Sequence, residues 1–401
     1  MARPVETLLI VSHVRHYRHG GRLYAYGPYA REVDIWADLF PEVAIAAPCR
    51  DAAPPGDCLA FTRPNISVAP QREMGGTTLR AKAAQVLALP LLVWDLSRAM
   101  RQADAIHVRC PGNLGLLGVI LAPLFSRRVV AKYAGQWNGY PGEPWTVRLQ
   151  RRVLRSAWWS NGVVTVYGDW PGQPKHVVPF FTSVLTNEQM ARARHAVEAR
   201  NWTGPLRLLN VGRLSRAKNV DVVLEAVAEL QREAVGVQCD IVGGGPERSR
   251  LEELSRSLHL EDCVRFHGAV DFDRVLGFYE AASVLVLPSQ TEGWPKAVVE
   301  AMAFGVVCIG SDRGLLSRML GEGRGIAIPP GDAEALAAAL RRVVQDPEGC
   351  RGLRTRAAEW AQRHTLEGLR EALRELLSAR WGEPLPSSSV QVRTGAAETG
   401  Q

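Results

Sequence analysis

The 401-residue chain is poor in the features that would mark a secreted, metal-stapled or membrane-spanning protein. Its seven cysteines (Cys49, Cys58, Cys110, Cys239, Cys263, Cys308 and Cys350) are odd in number, scattered, and never in a CxxC pair. That excludes a disulfide framework and the usual zinc spacing, and it predicts reduced, mostly packing residues. The longest nearly uncharged apolar stretch, Leu114–Phe125, falls short of the ~20 residues that cross a bilayer. The opening MARPVETLLIVSHV sets Glu6 ahead of the apolar run and lacks the small-residue cleavage site of a secretory signal. The expected location is therefore the cytoplasm. No repeat of solenoid length is present. With 46% hydrophobic and 22% charged residues, 37 Gly and 25 Pro, the composition excludes wholesale disorder, collagen and coiled coil and predicts two or three domains.

Lysine is scarce, five against 43 arginines, and the charge is uneven. Residues 1–183 carry 21 Lys and Arg against 12 Asp and Glu, a net of +9, whereas residues 184–401 carry 27 against 29. A basic half favours phosphates, acidic glycans, anionic lipid headgroups or nucleic acid. A solvated arginine-rich surface is the competing explanation. No nucleic-acid motif accompanies the charge, so nucleic acid is not an expected partner.

Short β-branched runs alternate with helical patterns along most of the chain, the signature of parallel sheets covered by helices. In the first half the strands are TLLIVSHV, VAIAAP, ISVAP, AIHVRC, RVVAKYAG, GVVTVYG and HVVPF; in the second they are RLLNVGR, CDIVGGG, VRFHGAV, SVLVLPS, VVCIGS and GIAIPP. The expected fold class is α/β, with two doubly wound, Rossmann-like domains facing a cleft, and sites beyond the carboxyl ends of the strands. The boundaries read as a first domain over 1–183, a polar helical linker over 184–204, a second domain over 205–360, a helix over 361–381, and a Pro-, Ser- and Gly-rich disordered tail over 382–401.

Three segments of the second half carry chemistry. In PSQTEGWPKAVVEAMAFG, Glu292 sits in a loop, Pro295 suits a first helical turn, and Glu300 lies eight residues later among Val298, Val299, Ala301 and Met302. A carboxylate in such company needs hydrogen bonds, from a ligand or from nearby donors. The helix start beside Gly293 offers free N–H groups to a phosphate. In LLNVGRLSRAKN a strand ends at Gly212 and delivers Arg213, Arg216 and Lys218, cations matched to a leaving diphosphate. In IVGGGPERSRLEEL, Gly243 and Gly244 open a strand-to-helix turn without the GxGxxG spacing of a dinucleotide fingerprint. Ligand contact and a tight turn explain that glycine run equally well.

Together these segments resemble the donor domain of the retaining glycosyltransferases of family 4, whose fold is called GT-B. The resemblance covers about residues 205–335 and rests on VGRLSRAKN, on GGGPER with VRFHGAV, and above all on the two glutamates of PSQTEGWPKAVVEAMAFG. It implies that Arg213 and Lys218 hold the donor diphosphate, that Glu292 contacts the transferred sugar, and that Glu300 binds the nucleotide's ribose. Gly293 and Trp294 would lie near sugar and phosphate, and the base near Phe266, His267 and Gly268. Gly20 and Gly21 resemble the family's small-residue loop against the donor phosphates. Where many relatives carry a sugar-touching His, this chain reads KYAGQWNGY, leaving Gln136 or Asn138 to bond a hydroxyl. Arg109 and Lys132, near strand ends, are candidates for acceptor or phosphate contact or for structural ion pairs. The last helices would cross back to the first domain, as in the GT-B fold.

No metal or cofactor is expected beyond a nucleotide diphosphate sugar as donor substrate. His13, His16 and His19 form an HxxHxxH series without supporting carboxylates, and Asp271 with Asp273 reads as a helix cap. The implied activity is retaining transfer of a sugar to an acceptor hydroxyl, on a glycan, lipid-linked or small-molecule acceptor such as a polysaccharide precursor. The alternative is a catalytically silent nucleotide-sugar-binding or scaffold protein. PWTVRLQRRVLRSAWWS interleaves Arg148, Arg151, Arg152 and Arg155 with Trp145, Trp158 and Trp159, a composition that suits either the anionic inner face of a membrane or a partly buried helix with snorkelling arginines.

Overall fold

A computed structural model describes residues 5–73, 79–183, 185–200 and 204–385. Residues 184 and 201–203 of the expected linker and 386–401 of the expected tail lie outside them. The first domain is built on seven parallel strands: β1 (Thr7–Val11), β4 (Glu42–Ala47), β7 (Ile66–Pro70), β8 (Ala105–Cys110), β9 (Val129–Tyr133), β10 (Val163–Tyr167) and β11 (Val177–Phe180), in the order β11-β10-β9-β8-β1-β4-β7. Alternation along β1 shows why both faces need cover. Leu8 and Ile10 enter one core and Leu9 and Val11 another, and all four are buried. Helix α1 (Gly27–Ala37) covers the first face; α2 (Leu79–Met100), α3 (Asn113–Phe125) and α4 (Trp145–Arg155) cover the second.

The second domain repeats the plan with six parallel strands, β12 (Leu206–Val211), β13 (Val237–Val242), β14 (Val264–Gly268), β15 (Val284–Leu287), β16 (Val307–Ser311) and β17 (Ile326–Ile328), in the order β14-β13-β12-β15-β16-β17. Its helices are α6 (Val220–Arg232), α7 (Arg248–Ser257), α8 (Phe272–Ala281), α9 (Lys296–Ala303), α10 (Gly314–Leu320), α11 (Ala333–Gln345) and α12 (Pro347–Ala361). The thirteen parallel strands are those read from the sequence, because buried parallel strands announce themselves as short β-branched runs.

A third, four-stranded sheet was not legible as such. It joins β2 (His16–His19), β3 (Arg22–Tyr26), β5 (Cys49–Asp51) and β6 (Cys58–Ala60) in the order β5-β2-β3-β6. Gly20 and Gly21 close the β2–β3 hairpin with φ of 55° and 73°, as a two-residue hairpin turn requires. Both are exposed, and a Cβ at either would meet nothing within 4 Å. They form an exposed hairpin tip outside the lining of the interdomain cleft.

The chain between the large sheets is α5 (Asn187–Ala199), opened by a capping box of Thr186 and Gln189. Its Met190 and Ala193 are buried with Met302 and Phe304, so this helix packs on the second domain. The last helix, α13 (Leu366–Trp381), does the reverse. Thr365 caps it by accepting from the Gly368 N–H at 3.0 Å, and Leu366, Leu369, Leu373 and Leu377 are buried against the first domain's α1 face. Each such leucine stabilises the join by about 1.5–3 kcal/mol. Leu377→Ala should therefore destabilise the protein by about 2–5 kcal/mol, measured as a lower urea midpoint. An unchanged midpoint would show that the last helix contributes nothing to holding the first domain.

Candidate functional site

The carboxyl ends of the second domain's strands open onto a cleft of about 450 Å³, lined from the first domain by Tyr26, Pro28 and Arg31, at the end of β3 and on α1, and from the second by Arg213, Lys218, Glu292, Trp294, Lys296 and Glu300. The segments VGRLSRAKN and PSQTEGWPKAVVE meet here. The Asn219 amide donates to the Pro288 carbonyl at 3.0 Å, and the Gln290 N–H donates to the Ala217 carbonyl at 2.8 Å. Those bonds hold the two loops in one fixed relation.

Glycine permits the close packing behind them. A Cβ at Gly243 would lie 1.9 Å from the Gly212 carbonyl oxygen, and one at Gly245 would lie 2.1 Å from that of Leu214. The Gly212 N–H donates to Val242 and the Leu214 N–H to Gly244, at 3.0 and 2.9 Å. The glycine run thus lets the β12 and β13 turns cross in backbone contact, and the tight-turn explanation accounts for Gly243; Gly244 meets nothing within 4 Å.

The charges are unequally compensated. Lys218 Nζ is ion-paired to Glu292 Oε1. Glu300, buried, accepts a 2.7 Å hydrogen bond from the Tyr279 hydroxyl. Burial raises its carboxyl above the usual range, opposed by that bond and by Lys296 and Arg31. The side chains of Arg213 and Lys296 make no salt bridge or hydrogen bond among the described residues. Lys296 is lowered to about 8, first by desolvation, then by the like charges of Lys132 and Arg109 against the pull of Glu32 and Glu300. Two open cations at the start of α9 and the end of β12 make a receptor for an anion.

The first domain adds a group that sequence reading missed. Glu32, on α1, is buried and paired to Arg109 at 3.0 Å and Lys132 at 2.8 Å. These cations, with Lys296 adding a weaker pull, hold its carboxyl well below the usual range despite desolvation. Arg109 and Lys132 are thus ion-pair members. The available signal was an acid on the apolar stripe of Tyr29, Val33 and Trp36, all buried with it.

The other residues singled out in the sequence have their own surroundings. His267 sits 2.6 Å from Asp240 and packs on Phe278, outside the cleft lining. Asn138 is exposed, and Gln136 turns to Gly314 across the domain contact, where a Cβ would lie 3.0 Å from its Oε1. Gly293 packs on the first domain, since a Cβ there would lie 2.7 Å from the Ala134 carbonyl oxygen. His16 is buried between Tyr29 and Phe61. Asp271, at the edge of the cleft lining, accepts from the Arg274 N–H through Oδ1 at 2.9 Å and caps α8.

Residues 194–360 match the family model for glycosyl transferases group 1. The chain is 33% identical over 174 residues to glycogen synthase of Mycobacterium tuberculosis, covering 41% of this chain and 42% of that protein. It is 33% identical over 148 residues to the amylovoran biosynthesis glycosyltransferase AmsK of Erwinia amylovora, covering 35% and 36%. The matches span less than half the length of these curated relatives. Among solved structures, sucrose-phosphate synthase of Thermosynechococcus elongatus superposes with a TM-score of 0.72 at 22% identity, over 94% of this chain and 99% of that one. WaaG, a glycosyltransferase involved in lipopolysaccharide biosynthesis, gives 0.64 at 15% over 94% and 100%. Anabaena HepE in complex with UDP-glucose gives 0.67 at 17% over 93% and 99%. The fold is GT-B.

Lys296 yields a pH test. A bound diphosphate favours its charged form, so affinity for a nucleoside diphosphate should be full below about pH 8 and fall as the pH rises through that value. Lys296→Arg, charged throughout, should flatten the profile between about pH 7 and about pH 9.5. Calorimetric titration across that range checks it, and an unaltered slope in the variant would place the anion away from residue 296.

Proposed function

We propose that the protein is a retaining glycosyltransferase that moves a sugar from a nucleotide diphosphate sugar to an acceptor hydroxyl in the interdomain cleft. The observation that carries this reading is the convergence of Arg213, Lys218, Glu292 and Glu300 on one cavity, within the segment that matches glycosyl transferases group 1. Relatives of matching second-domain sequence are named for glycogen synthesis and amylovoran biosynthesis, and a structural neighbour holds UDP-glucose.

The chemistry asks for stabilisation of a leaving group. As the bond from the anomeric carbon to the diphosphate oxygen breaks, negative charge grows on the diphosphate while the sugar gains oxocarbenium character. Arg213 and Lys218 oppose the growing negative charge, with Lys218 leaving Glu292 for the phosphate. That exchange frees Glu292 to accept hydroxyl donors from the sugar. Glu300 accepts from the ribose hydroxyls while Tyr279 fixes its orientation. The acceptor hydroxyl passes its proton to the departing phosphate on the same face, so configuration is retained. Closure of the first domain excludes water from the sugar. The basic first half, with its net +9, favours an acidic or lipid-diphosphate acceptor of the kind used in surface polysaccharide assembly.

Thermal-shift measurements with UDP, GDP and ADP sugars should raise the melting temperature with one base. Glu300→Gln should weaken that nucleotide roughly 10- to 100-fold, the loss of hydrogen bonds to a charged acceptor. Unchanged affinity would remove the ribose assignment. Binding without turnover across acceptor extracts would support a silent binding protein instead.

A further inference from the structure

Outward-facing apolar side chains are concentrated on one face of the first domain. Eight of the eleven large hydrophobic residues exposed among the described residues fall between Leu87 and Trp158; of the other three, Tyr26 and Leu59 line the cleft. Leu87, Leu91 and Trp94 follow one another at i, i+4 and i+7 on α2, so they share a stripe pointing away from the core, whose buried positions are Leu92, Leu96 and Met100. Ile120 and Leu124 repeat the pattern on α3, a helix without a single charged residue. Helix α3 packs between α2 and α4, and the Trp158 indole N–H donates to the Ile120 carbonyl at 3.1 Å, tying the turn after α4 to the same patch.

Exposed cations border this patch: Arg98 on α2, Arg127 after α3, and Arg148, Arg152 and Arg155 on α4. No carboxylate between residues 87 and 160 is free to answer them. Asp95 faces Arg72 at 4.0 Å, Asp104 accepts from the Glu6 and Thr7 backbone N–H groups, and Glu143 is gripped by Arg151. None of the described helices is long and apolar enough to cross a membrane.

We infer that the α2–α4 face docks on an anionic lipid bilayer, its leucines and tryptophans seated in the interface and its arginines on headgroup phosphates. Leu and Trp at the centre with Arg at the rim is the composition of an interfacial surface. A second copy of the chain seated face to face would bring these arginine rims against each other, at a cost in like-charge repulsion. The inference goes beyond the transferase reading and does not rest on it.

Flotation of the full-length protein with vesicles, without any nucleotide sugar, tests it. The protein should float with phosphatidylcholine vesicles containing phosphatidylglycerol and weakly with phosphatidylcholine alone, and the difference should shrink in high salt. Arg148→Glu with Arg152→Glu should cut binding to anionic vesicles roughly 20-fold or more, at ~5-fold for each cation lost near the surface. Leu91→Glu with Leu124→Glu should abolish flotation, and both double variants should keep the wild-type melting temperature because the altered side chains are exposed. Absence of flotation by the wild type, equal binding to neutral vesicles, or wild-type binding by either folded double variant would overturn the proposal. Self-association abolished by Leu91→Glu would assign the face to a second copy.

Discussion

The structure depends on how charge is carried into a cleft between two dry sheets. A cation there loses hydration and needs a carboxylate or an arriving anion. Lys218 has Glu292, and Arg109 and Lys132 share Glu32. Arg213 and Lys296 lack an ion-pair partner among the described residues, although both line the cavity. The unequal provision divides the cleft. The first-domain cations that act on Lys296 are neutralised from within by Glu32, while the second-domain wall of the cleft is left for a ligand to complete.

The backbone supplies the precision that such a cleft needs. Gly293 approaches Ala134 so closely that a Cβ would collide, and a Cβ at Gly168 would lie 2.7 Å from Leu315. Arg318 stacks over Trp170 at 4.1 Å and Arg31 over Phe272 at 4.3 Å. With α13 anchored on the first domain, these contacts set where α9 stands relative to the ends of β8 and β9. That placement brings Lys296 within electrostatic reach of Glu32 although they belong to different domains.

Parallel strands were readable because each is a short apolar run bounded by turn residues. The small mixed sheet was not, because HYRHGGRLYAY carries polar residues on both faces and only its Gly-Gly pair marks the hairpin. The Lys218–Glu292 pair joins residues 74 apart, so spacing along the chain could not show that these charges touch. Glu32 was hidden for a similar reason: it sits on α1 while its partners come from β8 and β9, and only the acid on an apolar stripe hinted at them. His267 shows the opposite limit, since a resemblance supplied a role that its contact with Asp240 does not display. The α2–α4 face was half visible, in the Trp–Arg pattern of α4, whereas the outward stripe of α2 needed the burial pattern to separate core from surface.

The central claim is that the second-domain cations receive a diphosphate. A crystal structure with a nucleoside diphosphate sugar tests it most directly. The account predicts the diphosphate between Arg213 and Lys218, with Lys218 released from Glu292 and Glu300 on the ribose. A nucleotide bound outside the cleft, or one bound in it with the Lys218–Glu292 pair intact, would contradict it.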